Sequence, residues 1–398
     1  MSQNNNISVK GFRFAAISAG LKKDNGLDLG LIVSDLPAEC AGVFTTNKVV
    51  AAPVQLTAPR VRNGQCQAIL VNSKNANACT GQQGLEDAIT CSAATADALG
   101  IEESRIAVAS TGVIGQRLDV DKIVKAIPQL VEKLDASEAQ AVADAILTTD
   151  SFAKISAAYG AADGQDYTIL GLAKGAGMIH PDMATMLSFV MTDARVAPEL
   201  LSQALKQAVD TSFNRITVDR DTSTNDMVLL LANGASSTEI VSGTDEALIF
   251  ISLLQEVLLD LAKMIVSDGE GATKLVRIQI VGAANDADAL KAAETVATSS
   301  LVKTAFFGED ANWGRIIAAV GYSGAEVDPD KVDIRVGDVF LAENGLAGSA
   351  QQEAAATVMM QQPEFTVTVD LKLGSSEAFY YTSDLTYDYI KINADYRT

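Results

Sequence analysis

The segment 171–194, GLAKGAGMIHPDMATMLSFVMTDA, constrains the fold more than any other part of the chain. It starts with small, flexible residues, turns at Pro181-Asp182 and ends in the apolar run 186–191. A short apolar run that follows glycines and a proline predicts a buried strand. Thr185 therefore stands where a loop becomes a strand of the core.

Thr185 is placed as self-cleavage of a chain requires. A β-branched hydroxyl at the head of a buried strand, preceded by the small Ala184, can be held with its Oγ beside the preceding carbonyl. Attack on that carbonyl would give an ester that water opens, and the new chain would begin with Thr185. Its free α-amine, with a typical pKa of roughly 7.7 to 8.0, could then serve as the general base. By itself, an Ala-Thr pair before a strand favours a structural threonine.

The length, composition and net charge of the chain indicate a globular protein and argue against some kinds of binding partner. The chain has 398 residues, of which 48% are hydrophobic, so it can bury a sizeable core and would usually divide into two or three domains. Its net charge of -20 argues against nucleic acid and anionic membranes as partners, because both need a basic surface. The long apolar stretch 247–266 is interrupted by charged residues and predicts a core helix rather than a membrane span.

Cysteine and histidine usage argues against a metal centre. The four cysteines lie in the first quarter of the chain without metal-ligand spacing, which predicts reduced core thiols. The single histidine, His180, argues against a His-based metal site or a Ser-His-Asp triad. It stands five residues before Thr185 and could be a helper base, although a loop histidine without a catalytic role is the simpler interpretation. Residues 1–10 do not resemble a secretory signal, so we expect the cytoplasm.

Local patterns also predict individual elements. Two strands are expected over 29–33 and 42–46, separated by Pro37. Ser137-x-x-Gln140 is a capping-box signature for a helix that ends near residue 147. One continuous helix is expected over 287–304, and the strict period of two over 365–372 predicts a strand with one buried face.

Further motifs follow one another along nearly the whole chain. They are NSKNANACTG at 72–81, STGVIG at 110–115, TTD at 148–150, DRDTSTND at 219–226, SDGEGATK at 267–274 and FFGEDANWGRI at 306–316. Together with KGAGMIHPDMATML, this series closely resembles the ornithine acetyltransferase family, also called glutamate N-acetyltransferase, of arginine biosynthesis. Lys74 departs from the family pattern, in which a glycine is expected.

The turn Ser110-Thr111-Gly112 is the candidate oxyanion site. Glycine lets the backbone approach a substrate closely, and the adjacent amides of such a turn can point at a developing oxyanion. The resemblance implies that Thr111 and Gly112 stabilise the oxyanion. Without the resemblance, a plain strand-to-helix turn would be preferred.

Two charged residues are candidates for binding an amino acid. Lys174 lies among glycines and alanines without an obvious salt-bridge partner, and its ammonium can bind an α-carboxylate. Glu270 is flanked by glycines and can project from a tight turn toward a substrate ammonium. The resemblance implies substrate-binding roles for both residues and for four others: Thr148, Thr185, Asn393 and Thr398. The polar run at 219–226 is expected to form a hydrogen-bonded scaffold beneath this centre.

The resemblance also implies an architecture. It predicts an α+β fold, a layered sandwich of mixed sheets covered by helices, with a smaller C-terminal α/β domain. Cleavage between Ala184 and Thr185 would give an α chain of 1–184, which carries the oxyanion site, and a β chain. The β chain would consist of 185–284, headed by the nucleophile, and the C-terminal domain 285–398. Two α and two β chains are expected to assemble.

The implied activity is a ping-pong acetyl transfer. Thr185 would take acetyl from N-acetyl-L-ornithine, release ornithine and pass the acetyl to L-glutamate, giving N-acetylglutamate. No cofactor or metal is expected, and the sequence leaves open whether acetyl-CoA is also a donor. Two alternatives remain: a self-processed amidohydrolase or aminopeptidase, and a non-catalytic amino-acid-binding protein with an intact chain.

Overall fold

A computed structural model describes residues 7–180 and 186–395. Its strands in this part of the chain are β1 (Phe12–Ile17), β2 (Leu29–Phe44), β3 (Gln65–Asn72), β4 (Ile106–Ser110), β5 (Lys154–Ala162), β6 (Gln165–Lys174), β7 (Leu187–Thr192), β8 (Arg195–Val196), β9 (Ile216–Thr217), β10 (Met227–Ala232), β11 (Glu239–Ile240), β12 (Leu275–Ala283), β13 (Asp333–Val336), β14 (Val339–Glu343), β15 (Leu346–Ala347), β16 (Glu364–Asp370) and β17 (Ser376–Ser383). Its helices are α1 (Ala52–Arg62), α2 (Gly81–Leu99), α3 (Val120–Glu132), α4 (Ala139–Ala145), α5 (Pro198–Asp210), α6 (Asp245–Ser267), α7 (Asp286–Thr298), α8 (Ser300–Phe307), α9 (Trp313–Gly321), α10 (Ala350–Met360) and α11 (Tyr387–Asp395).

The first sheet places the predicted strand after Thr185 near its centre. Its order is β4-β3-β2-β10-β7-β6-β5, with β1 beside β2. β7 pairs parallel with β10, with Leu187 opposite Met227, and antiparallel with β6. Every residue of β7 and of β10 is buried, which confirms the strand expected from the apolar run. The heads of β7 and β10 therefore lie side by side.

Helices cover both faces of this sheet. Residues of α5 and α6 form one core with Val190 and Leu230, whereas Phe189 and Leu229 point into a second core with residues of α4. A third core joins β1 to β4 with α2 and α3. Successive side chains along each strand point alternately into the cores on opposite faces of the sheet, so both faces of the sheet exclude water.

The second large sheet has the order β15-β14-β13-β16-β12-β17-β9. Apolar residues of α7, α8, α9 and α10 pack against it. It takes β9 and β12 from the chain before residue 285, and the division into three domains stays a prediction. Mixed sheets covered by helices confirm the predicted α+β sandwich.

Two local predictions are wrong for identifiable reasons. β2 is one strand that runs through Pro37, because its register with β3 shifts between Val33 and Ala38. The ladder is irregular where proline has no N–H to donate. The helix expected over 287–304 is divided at Ser299, whose extended backbone ends α7 and whose side chain accepts from the Val302 N–H at the start of α8.

Other expectations meet mixed outcomes. The Ser137 capping box does not form, because the Ser137 hydroxyl donates to Asp135 Oδ1 at 2.6 Å instead. Three of the cysteines are buried and free, as predicted, but Cys79 is free and exposed. Within residues 7–180 and 186–395, none of the helices is both apolar enough and long enough to cross a membrane.

Candidate active site

A cavity of about 200 Å³ lies where Lys174, at the end of β6, meets the turn that follows β4. Its walls come from the turn after β4, the end of β6, the polar run after β9, the turn after α6, and α11. The residues that line it are Ala76, Thr111, Gly112, Ile114, Thr148, Thr149, Lys174, Gly177, Met178, Asp219, Asp221, Ser223, Thr224, Asn225, Glu270, Tyr389 and Asn393.

Six predicted site residues meet in this cavity. They are Thr111, Gly112, Thr148, Lys174, Glu270 and Asn393. The other three, Ala184, Thr185 and Thr398, lie outside the described residues. The structure thus brings together residues that are far apart in the chain, and their individual roles stay predictions.

The turn after β4 can present two donors to an oxyanion. Gly112 has a φ of +133°, and a Cβ there would lie 2.1 Å from the carbonyl carbon of Lys74, so only glycine fits. The Thr111 N–H donates to the Asn72 carbonyl at 3.0 Å and is not available to a substrate. The expectation of two adjacent amides is therefore corrected: the Thr111 hydroxyl and the Gly112 N–H are the donors that remain at this turn.

The asparagine-rich loop beside this turn is structural. Asn72 Oδ1 accepts from Ser110 Oγ at 2.6 Å, and Asn75 donates to the Gln116 and Arg117 carbonyls at 3.2 and 3.1 Å. Lys74 adopts a φ of +77°, a left-handed conformation that suits the glycine of the family pattern better than lysine. These bonds fix the backbone against which Gly112 packs.

Lys174 is the last residue of β6 and belongs to a network of buried ion pairs. Its Nζ donates to Thr148 Oγ1 at 2.8 Å and lies 3.5 Å from Asp150 Oδ2, so the expectation that it has no salt-bridge partner is wrong. Asp150 also contacts Lys154 Nζ at 2.9 Å, and its side chain is 0% exposed. Burial alone would raise the pKa of Asp150, but the two ammoniums and hydrogen bonds outweigh it and hold the pKa well below its usual range. Lys174 thus keeps a charged neighbour and still reaches the cavity.

Glu270 contributes a carboxylate to the cavity that Lys174 also lines, and Asn393 binds this carboxylate. The Glu270 N–H donates to the Ala176 carbonyl at 2.9 Å, and Asn393 Nδ2 donates to Glu270 Oε2 at 2.8 Å. A Cβ at Gly177 would lie 2.5 Å from the Glu270 carboxyl carbon, so the carboxylate needs glycine opposite it. Asn393 belongs to α11, which brings the end of the described chain to the cavity.

The polar run 219–226 is a scaffold, as predicted, and it also lines the cavity. Asp219 accepts from the Met178 and Ile179 N–H groups at 2.6 and 2.8 Å, and burial raises its pKa. Asn225 Nδ2 donates to the carbonyls of Ala76 and Ser110 at 2.6 and 2.9 Å. The lining role of this run is not predicted from the sequence, although the density of its polar residues is a signal that could have indicated it.

Charges around the cavity are unequal. Among the described lining residues, Lys174 is the one cation, whereas Asp219, Asp221 and Glu270 supply three carboxylates. A ligand that carries one carboxylate and at least one ammonium would complement these charges. The amino-acid class of ligand therefore fits better than a purely anionic one.

His180 makes contacts outside the lining of the cavity. Its Nε2 lies 3.4 Å from Glu294 Oε1 on α7, and its Nδ1 lies 3.4 Å from Thr217 Oγ1. These contacts favour the non-catalytic interpretation. Across the described ranges, no group of three or more His, Cys, Asp or Glu side chains could hold a metal ion.

Comparison with known proteins decides the family. The profile of the ArgJ family matches residues 13–398. The chain belongs to the ArgJ family. It is similar to two arginine biosynthesis bifunctional ArgJ proteins, each of which covers 98% of this chain and is covered completely. The protein from Syntrophotalea carbinolica is 62% identical over 393 residues, and the protein from Geobacter sulfurreducens is 55% identical over 393 residues.

One solved structure adds to this comparison. The crystal structure of the arginine biosynthesis bifunctional protein ArgJ from Bacillus halodurans is 43% identical, with a TM-score of 0.52. The match covers 53% of this chain and 100% of that chain. Membership of the ArgJ family confirms the resemblance read from the motifs. It also confirms the prediction that the chain is an acyltransferase enzyme of arginine biosynthesis.

In this ArgJ-family chain, a buried lysine anchors the segment that leads to α11. Lys303 Nζ donates to Thr382 Oγ1 at 2.9 Å, to Ser383 Oγ at 3.1 Å and to the Ser383 carbonyl. Burial lowers the pKa of Lys303 to about 7, although Asp384 and Asp219 oppose the shift. Asp384 in turn accepts from the Thr273 and Lys274 N–H groups at 2.8 and 3.0 Å. Lys303 and Asp384 thus tie α11 to the turn that carries Glu270.

This anchor predicts a pH dependence of stability. The unfolded chain keeps the Lys303 proton up to a pKa of roughly 10.4, whereas the folded chain releases it near pH 7. Because the unfolded state binds more protons in this window, Lys303 makes stability rise from about pH 7 to about pH 10. We expect Lys303→Met to lack this rise when melting temperatures are measured across the window. Parallel curves for the variant and the wild type would contradict the shifted pKa.

Proposed function

We propose that this enzyme transfers acetyl from N2-acetyl-L-ornithine to L-glutamate through an acetyl-Thr185 intermediate. Autocleavage between Ala184 and Thr185 would create the active amino terminus. One observation carries the proposal: the six predicted residues meet in one cavity, and the polar run 219–226, which lines part of that cavity, binds the chain both before and after the segment 181–185. Asp219 binds the N–H groups of Met178 and Ile179, and Asp226 Oδ1 accepts from the Met186 N–H at 2.8 Å.

The division into two chains has separate support. All of the crystallised Bacillus halodurans ArgJ chain matches only 53% of this chain. A family whose members exist as two chains of similar length would give such a match. We propose an α chain of 1–184, a β chain of 185–398, an α2β2 assembly and a cytoplasmic location.

In the first half-reaction, the cavity would bind N-acetylornithine by its charges. Lys174, supported by Thr148, would take the α-carboxylate, and Glu270 would take the side-chain ammonium. Thr185 Oγ would attack the acetyl carbonyl while its proton passes to the α-amine. The Thr111 hydroxyl and the Gly112 N–H would stabilise the oxyanion. The C–N bond then breaks, and the ornithine nitrogen takes the proton as ornithine leaves.

In the second half-reaction, glutamate would replace ornithine in the same cavity. Asn393, whose amide donates to Glu270 without a ligand, can turn its N–H groups to the side-chain carboxylate of glutamate. The glutamate nitrogen would take the acetyl and regenerate Thr185. We propose that acetyl-CoA also acetylates Thr185, in line with the word bifunctional in the names of the relatives, and that no metal or organic cofactor takes part.

Dependence on glutamate tests this function. Release of ornithine from N-acetylornithine should accelerate when glutamate is added, because glutamate removes the acetyl group from Thr185. Formation of N-acetylglutamate should match the release of ornithine. A rate that is indifferent to glutamate, with acetate as the product, would favour the self-processed hydrolase instead.

Loss of the Thr111 hydroxyl should slow acetyl transfer selectively. Thr111→Val keeps the size of the side chain but removes the proposed oxyanion donor, so we expect kcat to fall about 10²-fold to 10³-fold. KM for N-acetylornithine should change little, because the donor acts on charge that develops in the transition state. Thr111→Ser is the matched control and should retain most activity. Equal rates for the valine and serine variants would remove Thr111 from the oxyanion site.

A further inference from the structure

Asp150, the last residue of the TTD motif, is a buried carboxylate that the proposed reaction does not yet use. Its side chain is 0% exposed, and it does not belong to the described lining of the cavity. It contacts both Lys174, to which the proposed function assigns the α-carboxylate of the substrate, and Thr148, which supports Lys174. Asp150 can therefore act on a substrate only through these neighbours.

One carboxyl oxygen of Asp150 holds both of these neighbours. Oδ2 accepts from the Thr148 N–H at 3.0 Å and lies 3.5 Å from Lys174 Nζ. Lys174 Nζ donates to Thr148 Oγ1 at 2.8 Å, and the hydroxyl hydrogen of Thr148 is directed to Oδ2 over 3.5 Å. The three side chains form a closed triangle, which fixes the directions of the hydroxyl and of the ammonium.

The other carboxyl oxygen holds the backbone that follows Lys174. Oδ1 of Asp150 accepts from the Gly175 N–H at 2.6 Å and from Lys154 Nζ at 2.9 Å. Lys154 Nζ also donates to Asp268 Oδ2 at 2.6 Å, so this second lysine has a carboxylate of its own. Asp150 thus binds the ammonium of Lys174 with one oxygen and the next peptide N–H with the other.

Every group that contacts Asp150 in the described part of the chain is a hydrogen-bond donor. The set comprises two backbone N–H groups, two ammoniums and one hydroxyl. A carboxylate suits this position because both of its oxygens accept, whereas an amide would turn its NH₂ group toward other donors. The position therefore requires an aspartate rather than an asparagine.

Asp150 has two opposite effects on a bound α-carboxylate. Its negative charge repels the ligand, so its removal alone would strengthen the attraction by Lys174. Without it, however, two ammoniums whose side chains are 0% and 5% exposed would lose the carboxylate that they share. A buried charge that loses its partner is strongly unfavourable, and the ammonium would move away from its place at the cavity. Because Asp150 contacts the ammonium directly and the ligand lies further away, we expect the second effect to be larger.

We propose that Asp150 is a positioning residue for substrate binding: it holds the Lys174 ammonium and the Thr148 hydroxyl in the orientation that binds an α-carboxylate. This inference rests on the proposed function. N-acetylornithine and glutamate both carry an α-carboxylate, so Asp150 serves both half-reactions. It touches neither substrate and takes no part in proton transfer.

The test is Asp150→Asn, and the matched control is Asp193→Asn. Asp193 is 5% exposed and accepts from the Thr168 and Lys10 N–H groups at 2.8 and 3.3 Å. It does not belong to the described lining of the cavity. Both variants replace a buried carboxylate that accepts from two backbone N–H groups. Steady-state rates are measured with each substrate varied in turn and are expressed per folded chain.

We expect Asp150→Asn to raise KM about 10²-fold for N-acetylornithine and for glutamate alike. Asp193→Asn should leave both KM values near those of the wild type. In Asp150→Asn, kcat should change by less than about threefold, because the positioned ammonium binds a carboxylate that does not react. A general loss of structure would lower the folded fraction without selecting KM.

A double-mutant cycle measures whether Asp150 acts through Lys174. When Lys174→Met is already present, Asp150→Asn should raise KM by less than about threefold more, because the ammonium that it positions is gone. The same 10²-fold rise in both backgrounds would assign Asp150 an independent structural effect and overturn the proposal. An unchanged or lower KM in Asp150→Asn alone would also overturn it.

A second variant allows for a folding defect in Asp150→Asn. Asp150→Asn/Lys154→Met removes one cation together with the carboxylate, so the network keeps one ammonium, that of Lys174. Its KM values should exceed those of Lys154→Met by the same factor, and equal values would overturn the proposal.

Failure of the proposed function gives a different result. It shows in the wild type as the absence of acetyl transfer to glutamate, or in Lys174→Met as unchanged KM values. A rise of KM in Lys174→Met without a rise in Asp150→Asn overturns the role of Asp150 alone.

Discussion

Thr185→Ala should abolish both self-cleavage and acetyl transfer. Alanine has no hydroxyl to attack the Ala184 carbonyl, so the chain stays at full length and no amino-terminal base is created. The loss should be on the order of 10⁶-fold, as for removal of other enzymatic nucleophiles. The measurements are intact mass and the release of ornithine from N-acetylornithine.

Thr185→Ser is the control for this prediction. Serine keeps the hydroxyl and the α-amine but loses the methyl group that restricts χ1, so it should cut and transfer acetyl at a reduced rate. Activity in Thr185→Ala, or a serine variant as inactive as the alanine variant, would contradict a hydroxyl nucleophile at this position.

Lys174→Met should have the second-largest effect, on the binding of both amino acids. Methionine preserves much of the apolar side chain but removes the ammonium that faces the cavity beside Thr148. We expect kcat/KM to fall about 10³-fold for N-acetylornithine and for glutamate, roughly 4 kcal/mol, mostly through KM. Steady-state kinetics with each substrate varied in turn measure the effect.

Lys154→Met is the matched control, because Lys154 also contacts Asp150 but does not line the cavity. Its loss removes a partner of Asp150 and of Asp268, 2.6 Å away, and should destabilise the fold by about 3 to 5 kcal/mol. Asp150 would still accept from the Thr148 and Gly175 N–H groups, so folded enzyme should keep its KM. Unchanged KM values in Lys174→Met would exclude Lys174 from substrate binding.

Local sequence patterns predicted most of the individual elements. The apolar run after Thr185 became β7, and the interrupted apolar stretch 247–266 lies within α6, because burial and period are visible in single segments. The break at Ser299 is not predicted, because the pattern of small residues typical of a helix continues through this position. The Ser299 side chain accepts a hydrogen bond from a backbone N–H, and this local bond competes with continuation of the helix. Pro37 predicts the end of a strand, whereas the register shift that lets β2 continue through it depends on pairing with β3, which the local sequence does not show.

Some residues of the site were likewise predicted from the sequence, whereas others depend on long-range packing. Motif agreement identified Thr111, Lys174 and Glu270. The sequence does not show that β7 pairs with β10, a strand from a distant part of the chain. At the heads of these strands, Met186 contacts Asp226, which is 40 residues further along the chain. That pairing is a long-range consequence of packing, and it brings Asp226 within hydrogen-bond distance of the Met186 N–H. Tyr389 was missed for a similar reason, because its contact with Asp219 at 3.3 Å depends on where α11 docks.

The most direct test of the account is the intact mass of purified wild-type enzyme, before and after brief exposure to N-acetylornithine. We expect two polypeptides that correspond to residues 1–184 and 185–398, with one acetyl group gained by the second and lost again when glutamate is added. A single unbroken polypeptide that still transfers acetyl to glutamate would contradict it.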